Sequence, residues 1–256
     1  MLLAIDIGNS NIVIGCFEGQ RIRHVFRIVT DTKKTEDEYA VGIRNMLDFN
    51  GVDCSGFTGA IISCVVPPLS SVFRSAVMRL TGLPALTVGA GIKTGLNILI
   101  ENPAELAGDM LAVSIGAAAK YRPPVIMVDM GTATKICVLN AAGAYIGGAI
   151  CPGVMQSADT LSAGAALLPK VSIEAPRNAI RGDTAGAMRS GIVFGAAAMV
   201  DGMIARFEEE MGMSATVVAT GGFAPGVIPH CKRQIILDEN LLLTGLRILY
   251  EKNQRR

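Results

Sequence analysis

The sequence predicts an α/β protein made of two halves with one architecture, each a mixed sheet flanked by helices. Three stretches carry that expectation. The chain opens on "LLAIDIGNSNIVIGCF" (2–17), a strand that breaks at Asp6-x-Gly8 into a small polar turn and resumes at Ile12, as a hairpin does. "PVIMVDMGTATKICVL" (124–139) repeats that order at Asp129-x-Gly131, with a further strand in "AYIGGAI" (144–150). One Asp-x-Gly hairpin is a weak signal, because any turn favours those residues. Two of them, near the starts of halves of similar length, are not expected by chance. The third stretch, "TVVATGGFAP" (216–225), sets Gly221 and Gly222 directly after a strand, where the missing Cβ lets a ligand approach the backbone.

After the first hairpin, "RIRHVFRIVT" (21–30) alternates as the third strand of a meander. Thr35 and Glu38 have capping-box spacing, and Tyr39, Ile43, Met46 and Leu47 then fall on one helical face. "AIISCVV" (60–66) reads as a buried strand. Pro67 and Pro68 start a helix with Leu69, Val72, Phe73 and Ala76 on one face, which Gly82 ends. Asn102 caps a helix with Pro103 at its first position and Glu105 three residues after the cap, placing Asp109 about two turns in. "KYRPP" (120–124) suits a linker, giving an N-terminal domain over 1–122 and a C-terminal domain over 123–256. Gly191, Gly195, Ala198 and Gly202 give one helix a small-residue face, for which close helix packing is the default reading and a dimer partner or nucleotide shelf the alternative. "DENLLLTGLRILYEKN" (238–253) is a final helix crossing back against the core.

Composition narrows the function. Half of the 256 residues are hydrophobic and 18% are charged, which supports a large core and argues against disorder. The net charge is +1 with no basic stripe, so nucleic acid is not an expected partner. No uninterrupted apolar stretch approaches the ~20 residues that span a bilayer, so no membrane association is expected. The N-terminus meets Asp6 too early for a signal peptide, and a cytoplasmic protein is expected. Six cysteines without a C-x-x-C pair read as free thiols, and two histidines make a zinc site improbable. Any metal should be held through oxygen.

Taken together, the hairpins and the glycine turn follow the logic of the actin, sugar kinase and Hsp70 superfamily: a duplicated ribonuclease H-like (actin-like ATPase) fold with phosphate loops in both domains and ATP between them. More closely, the chain resembles the type III pantothenate kinases in "DIGNSN", "SCVVP", "NPAELAGDM", "DMGTAT", "GGAICPGVMQSADTL", "LPKV", "DTAGAMRSGIVFGAAAMVDG" and "ATGG", in that order. The resemblance implies phosphorylation of pantothenate by ATP, the first step toward coenzyme A, by a homodimer using Mg²⁺ and a monovalent cation, K⁺ or NH₄⁺. By position it implies that Asp6, Ile7, Gly8, Asn9, Ser10, Asn11, Ile12 and Val13 form the first ATP loop and that Thr132 contacts ATP from the second. It likewise makes Asp109 the general base and Ala107, Gly108, Asp109 and Met110 a substrate-binding segment. Thr184 becomes a substrate contact near the dimer interface, and Asp129 the monovalent-cation ligand. The physics fits: consecutive N–H groups in a glycine turn make an anion nest, and Asp6 is a candidate ligand for hydrated Mg²⁺.

The acceptor half departs from the family pattern. Ile100 stands where Tyr is usual, and Ala107-Gly108-Asp109-Met110 where Gly-Ala-Asp-Arg is usual. Met110 removes a positive charge, and a hydrogen bond to a charged group is worth roughly 1.5–3 kcal/mol, about 10- to 150-fold in affinity. Lys135 and Cys137 also replace the usual residues after the second loop. Lys135 reads as a solvated strand lysine, with a replacement cation as the alternative. Three readings stand: a pantothenate kinase with an altered pocket, a same-fold kinase for another small hydroxy acid or alcohol, and a nucleotide-binding paralogue without pantothenate kinase activity.

Overall fold

The computed structural model describes residues 1–254, which form two compact units. Unit 1 holds residues 1–95, 102–116 and the C-terminal helix, and unit 2 holds 96–101 and 117–240, so the units are not two unbroken stretches.

In unit 1, β1 (Leu2–Ile7), β2 (Asn11–Glu18) and β3 (Arg21–Val29) form the expected antiparallel meander, with Ile7 opposite Ile12. The capping box starts α1 (Glu36–Phe49): Thr35 N–H donates to the Glu38 carboxylate at 2.8 Å, and Glu38 N–H donates to Thr35 Oγ1. β4 (Gly59–Cys64) returns parallel to β1. α2 (Pro67–Thr81) starts on its two prolines and ends at Gly82, whose φ of 71° is the left-handed conformation that favours glycine. β5 (Ala85–Thr87) completes the order β3-β2-β1-β4-β5, and α3 (Gly108–Lys120) follows. Because strand side chains alternate, Leu3, Ile5 and Ile7 point to the face covered by α1 and α2. There Tyr39 and Phe73 meet at 4.5 Å between ring centroids. Burial of each such large side chain stabilises the unit by about 1.5–3 kcal/mol.

Unit 2 repeats the plan. β6 (Val125–Met130), β7 (Ala133–Leu139) and β8 (Tyr145–Pro152) form a second meander. α4 (Val154–Gly164) and α5 (Thr184–Met211) lead to β9 (Thr216–Thr220), parallel to β6. The short α6 (Ala224–Val227) precedes β10 (Ile236–Leu237). Its order, β10-β9-β6-β7-β8, is that of unit 1 read from the other end.

α5 is long and apolar enough in composition to cross a membrane. One face of it nonetheless belongs to the core of unit 2. Ile192, Val193, Val200 and Ile204 pack against the sheet, and Asp201 accepts hydrogen bonds from the backbone N–H groups of Lys232 and Arg233.

The last helix, α7 (Leu241–Gln254), packs on β1 and β4 of unit 1, as expected of a segment that crosses back. It meets α3 backbone to backbone at Ala112 and Gly116. A Cβ on Gly245 would lie 1.8 Å from the Ala112 carbonyl oxygen, and one on Gly116 would lie 2.4 Å from the Leu241 carbonyl oxygen.

Candidate active site

Unit 1 gathers Asp6, Ser63 and the start of α3 on one face of its sheet. Asp6 is near the C-terminal end of β1, on the face opposite α1 and α2, and is 8% exposed. Its parallel neighbour in register is Ser63 of β4, and its antiparallel neighbour is Val13. Ser63 Oγ is buried without a hydrogen-bond partner, and a Cβ on Gly108 would lie 3.3 Å from it. The residue before Asp109 therefore abuts the sheet beside Asp6.

Asp109 itself is 8% exposed. It lies in the first turn of α3 rather than two turns into a helix capped by Asn102. Asn102 caps only a short 3₁₀ turn, Pro103–Glu105, and Leu106 at φ −67°, ψ 107° leaves helical geometry before α3 begins. Glu105 accepts from Asn102 Nδ2 at 2.9 Å and is not a helical neighbour of Asp109. The Asp109 carboxylate accepts from Met110 N–H at 2.7 Å, at a helix end whose free N–H groups favour negative charge. Ala107 is exposed, Gly108 half-buried and Met110 buried at 4% exposure, so the position lacking the usual cation belongs to the packed interior of unit 1.

The first polar turn is closed by Gly8 N–H donating to the Asn11 carbonyl at 3.1 Å, which leaves Asn9 and Ser10 at the tip, exposed with Asn11. Ile7 and Ile12 are fully buried and Val13 is half-buried, so the first two offer the turn their backbone only. Thr30, which the sequence did not single out, braces the turn: its Oγ1 donates to the Gly8 carbonyl at 2.6 Å and its N–H to the Ser10 carbonyl at 3.1 Å. A threonine just past a strand carries no distinctive signal.

In unit 2 the matching turn is one residue shorter, with Gly131 N–H donating to the Ala133 carbonyl at 3.1 Å and Thr132 exposed at the tip. Its bulk limits are set by glycines. A Cβ on Gly153 would lie 1.9 Å from the Thr132 carbonyl oxygen, and one on Gly221, at φ 96°, would lie 2.6 Å from the Met130 backbone. Gly221 was expected to let a ligand approach; its close approach is to β6 instead, while Gly222 has open space. Gly221→Ala should cost roughly 1–3 kcal/mol through backbone strain and overpacking and weaken ATP binding. Thermal melting with nucleotide titration checks both.

Asp129, 8% exposed, occupies the place in unit 2 that Asp6 holds in unit 1. Its parallel neighbour is Thr220, a hydroxyl as at Ser63, but its antiparallel neighbour is Lys135 where unit 1 has Val13. Lys135 Nζ stands 3.0 Å from Asp129 Oδ2, the two side chains being 19% and 11% exposed. The expectation of a solvated strand lysine is overturned, because directly opposed residues of an antiparallel pair share a face and this one carries the carboxylate.

Thr184 is the exposed first residue of α5, and the cap is Asp183, whose carboxylate accepts from Gly186 N–H at 2.6 Å. That bond, with Arg181 adding, holds the Asp183 carboxyl below its ordinary range. Burial pushes the Cys64 thiol up, with the Asp6 charge adding to the rise, while its bond to the Val66 carbonyl opposes it. Burial likewise raises Cys16 and Cys231 to about 12.

The residues fit Mg²⁺ at Asp6: the ion keeps most of its waters and takes one or two carboxylates, and Ser63 Oγ adds an unsatisfied polar atom alongside. They do not fit a monovalent cation at Asp129, whose carboxylate already holds an ammonium. Among the described residues no cluster of three His, Cys, Asp or Glu could hold a metal.

The model of the type III pantothenate kinase family matches residues 2–206. A type III pantothenate kinase of Brevibacillus brevis is 42% identical over 254 residues, covering 99% of this chain and 100% of that protein. One from Anaeromyxobacter sp. is 41% identical over 254 residues, with the same coverage of 99% and 100%. A Sinorhizobium meliloti protein assigned as a 2-dehydro-3-deoxygalactonokinase is 12% identical yet superposes with a TM-score of 0.60 over 100% of both chains. That likeness speaks for the fold alone, the duplicated ribonuclease H-like fold of sugar kinases. Matched over most of its length by the family model and over nearly all of it by these relatives, the chain belongs to the type III pantothenate kinase family.

Proposed function

We propose that this chain transfers the γ-phosphoryl group of ATP to the hydroxyl of pantothenate, giving 4'-phosphopantothenate and ADP, the first step of coenzyme A synthesis. The observation that carries the reading is the buried Asp109 carboxylate at the start of a helix whose preceding residue abuts Ser63, beside Asp6 on the same sheet face. In this reading the Asp6–Val13 loop and Thr132 hold ATP. Asp109 takes the hydroxyl proton as the hydroxyl oxygen bonds to the γ-phosphorus and ADP departs. Mg²⁺ at Asp6, when bound, neutralises charge on the triphosphate. Phosphoryl transfer needs mainly positioning and charge stabilisation, so a packed carboxylate and two rigid turns are the parts it requires. The six cysteines, free thiols all, suit the reducing cytoplasm.

The test is ADP release by purified protein with ATP and Mg²⁺, with and without pantothenate, and mass spectrometry of the product. Pantothenate-dependent release is expected. The buried Met110 favours one second reading, a different small hydroxy acid or alcohol as acceptor. Faster turnover with such a compound than with pantothenate would establish it.

The homodimer is part of the same proposal, and α5 supports it. Gly191, Gly195, Ala198 and Gly202 are all exposed, and a Cβ at any of the three glycines would meet nothing within 4 Å, so the small-residue face is not packed within the subunit as close helix packing would require. The exposed Leu161 lines the same groove as Gly191 and Gly195. Light scattering should give a dimer for the native chain and a monomer for Gly195→Arg. A native monomer would remove this part of the reading.

A further inference from the structure

We propose that the Lys135 ammonium is the resident cation at Asp129, so that turnover by this chain needs neither K⁺ nor NH₄⁺. The inference rests on the kinase reading and goes beyond it. Its first support is geometric. Asp129 and Lys135 face each other across β6 and β7, 3.0 Å apart and largely buried.

The second support is the internal repeat. Asp6 has Ser63 as its parallel neighbour and Val13 across the hairpin; Asp129 has Thr220 and Lys135 in the same places. The sheet therefore accepts an apolar residue opposite the aspartate, and the lysine is a particular of unit 2 rather than a demand of the hairpin. Two residues further along β7 on the same face, Cys137 accepts a hydrogen bond from the Tyr145 hydroxyl at 3.2 Å.

Chemistry supplies the third. A lysine ammonium is an alkylated NH₄⁺ with three donors and one positive charge, tethered at the carboxylate an exchangeable cation would use. A K⁺ ion added there would meet a like charge at close range, and no further carboxylate cluster is present among the described residues to offset it.

The experiment uses the full chain exchanged into buffer free of K⁺, Na⁺ and NH₄⁺, with ionic strength held by tetramethylammonium chloride while KCl rises to about 100 mM, so that screening stays constant. Pantothenate-dependent ADP release by the native protein should change less than about twofold across the series. Lys135→Thr leaves Asp129 buried without its ammonium; its rate without K⁺ should fall about tenfold or more and recover as KCl is added. Lys135→Arg keeps the charge and should stay insensitive to K⁺. A native enzyme activated tenfold by KCl, or a folded Lys135→Thr variant with undiminished rate in the cation-free buffer, overturns the proposal.

Calorimetric titration with a non-hydrolysable ATP analogue in the same buffers separates this from failure of the acceptor reading. If pantothenate is not phosphorylated, KCl should still leave native nucleotide affinity unchanged and restore that of Lys135→Thr. K⁺-dependent nucleotide affinity in the native chain overturns the inference whichever acceptor is used.

Discussion

Asp109→Asn should lower pantothenate-dependent ADP release by about 10²- to 10⁴-fold, the usual contribution of a general base, with ATP affinity held within about twofold. The amide matches the carboxylate in shape and keeps an oxygen to accept the Met110 N–H bond, so the start of α3 should persist. What disappears is a group able to take the hydroxyl proton. Nucleotide binding is assigned to other residues, so binding and chemistry should separate: isothermal titration should show near-native ATP affinity beside a collapsed kcat. A rate within a few-fold of native would remove Asp109 from the reaction and leave it a helix-terminal carboxylate.

Gly245→Val should be the most damaging substitution away from that centre. A Cβ at this position would sit 1.8 Å from the Ala112 carbonyl oxygen and 2.5 Å from its carbon, so the obstacle is backbone that cannot rotate aside. Gly116 makes the reciprocal approach to Leu241, and neither helix can shift without opening the other contact. Overpacking typically costs 1–3 kcal/mol, and with rigid partners on both sides the expected loss is about 3 kcal/mol. At roughly 2–4 °C per kcal/mol for a chain of this size, Tm should fall by about 6–12 °C. Gly42→Ala in α1 provides the opposite sign. Its Cβ would meet nothing within 4 Å, and replacing a helical glycine there should gain about 0.5–1 kcal/mol. Because Asp109 sits on the helix that Gly245 packs against, the valine variant should also lose kcat, since a misplacement of about 1 Å can cost on the order of 10²-fold. Thermal melts and steady-state rates on the two variants check both statements.

Local chemistry made much of the fold legible. Thr35 with Glu38, Pro67 with Gly82, and the two Asp-x-Gly turns each act within a few residues, and each appears where its spacing placed it. The misplacement of Asp109 has the same origin. The Asn102-Pro103 cap is real but starts only a 3₁₀ turn, and the break at Leu106 has no local signature comparable to a proline or glycine. Gly116 and Gly245 were silent because each needs the other helix to give it meaning. Gly221 carried a true signal of close approach, but nothing local tells a strand backbone from a ligand.

The duplicated α/β plan, the two Asp-x-Gly turns and the family are legible in the chain, because hairpins, caps and ordered motifs are written in neighbouring residues. What stands beside each aspartate, by contrast, is set by strand pairing and packing. Strand register set Val13 against Asp6 and Lys135 against Asp129, turning an expected surface lysine into the partner of a largely buried carboxylate. Parallel pairing across more than fifty residues of chain brought Ser63 to Asp6, and packing across α3 brought Gly108 to Ser63. Those juxtapositions depend on which strands pair and in what register, a property of the assembled sheet that no single segment encodes.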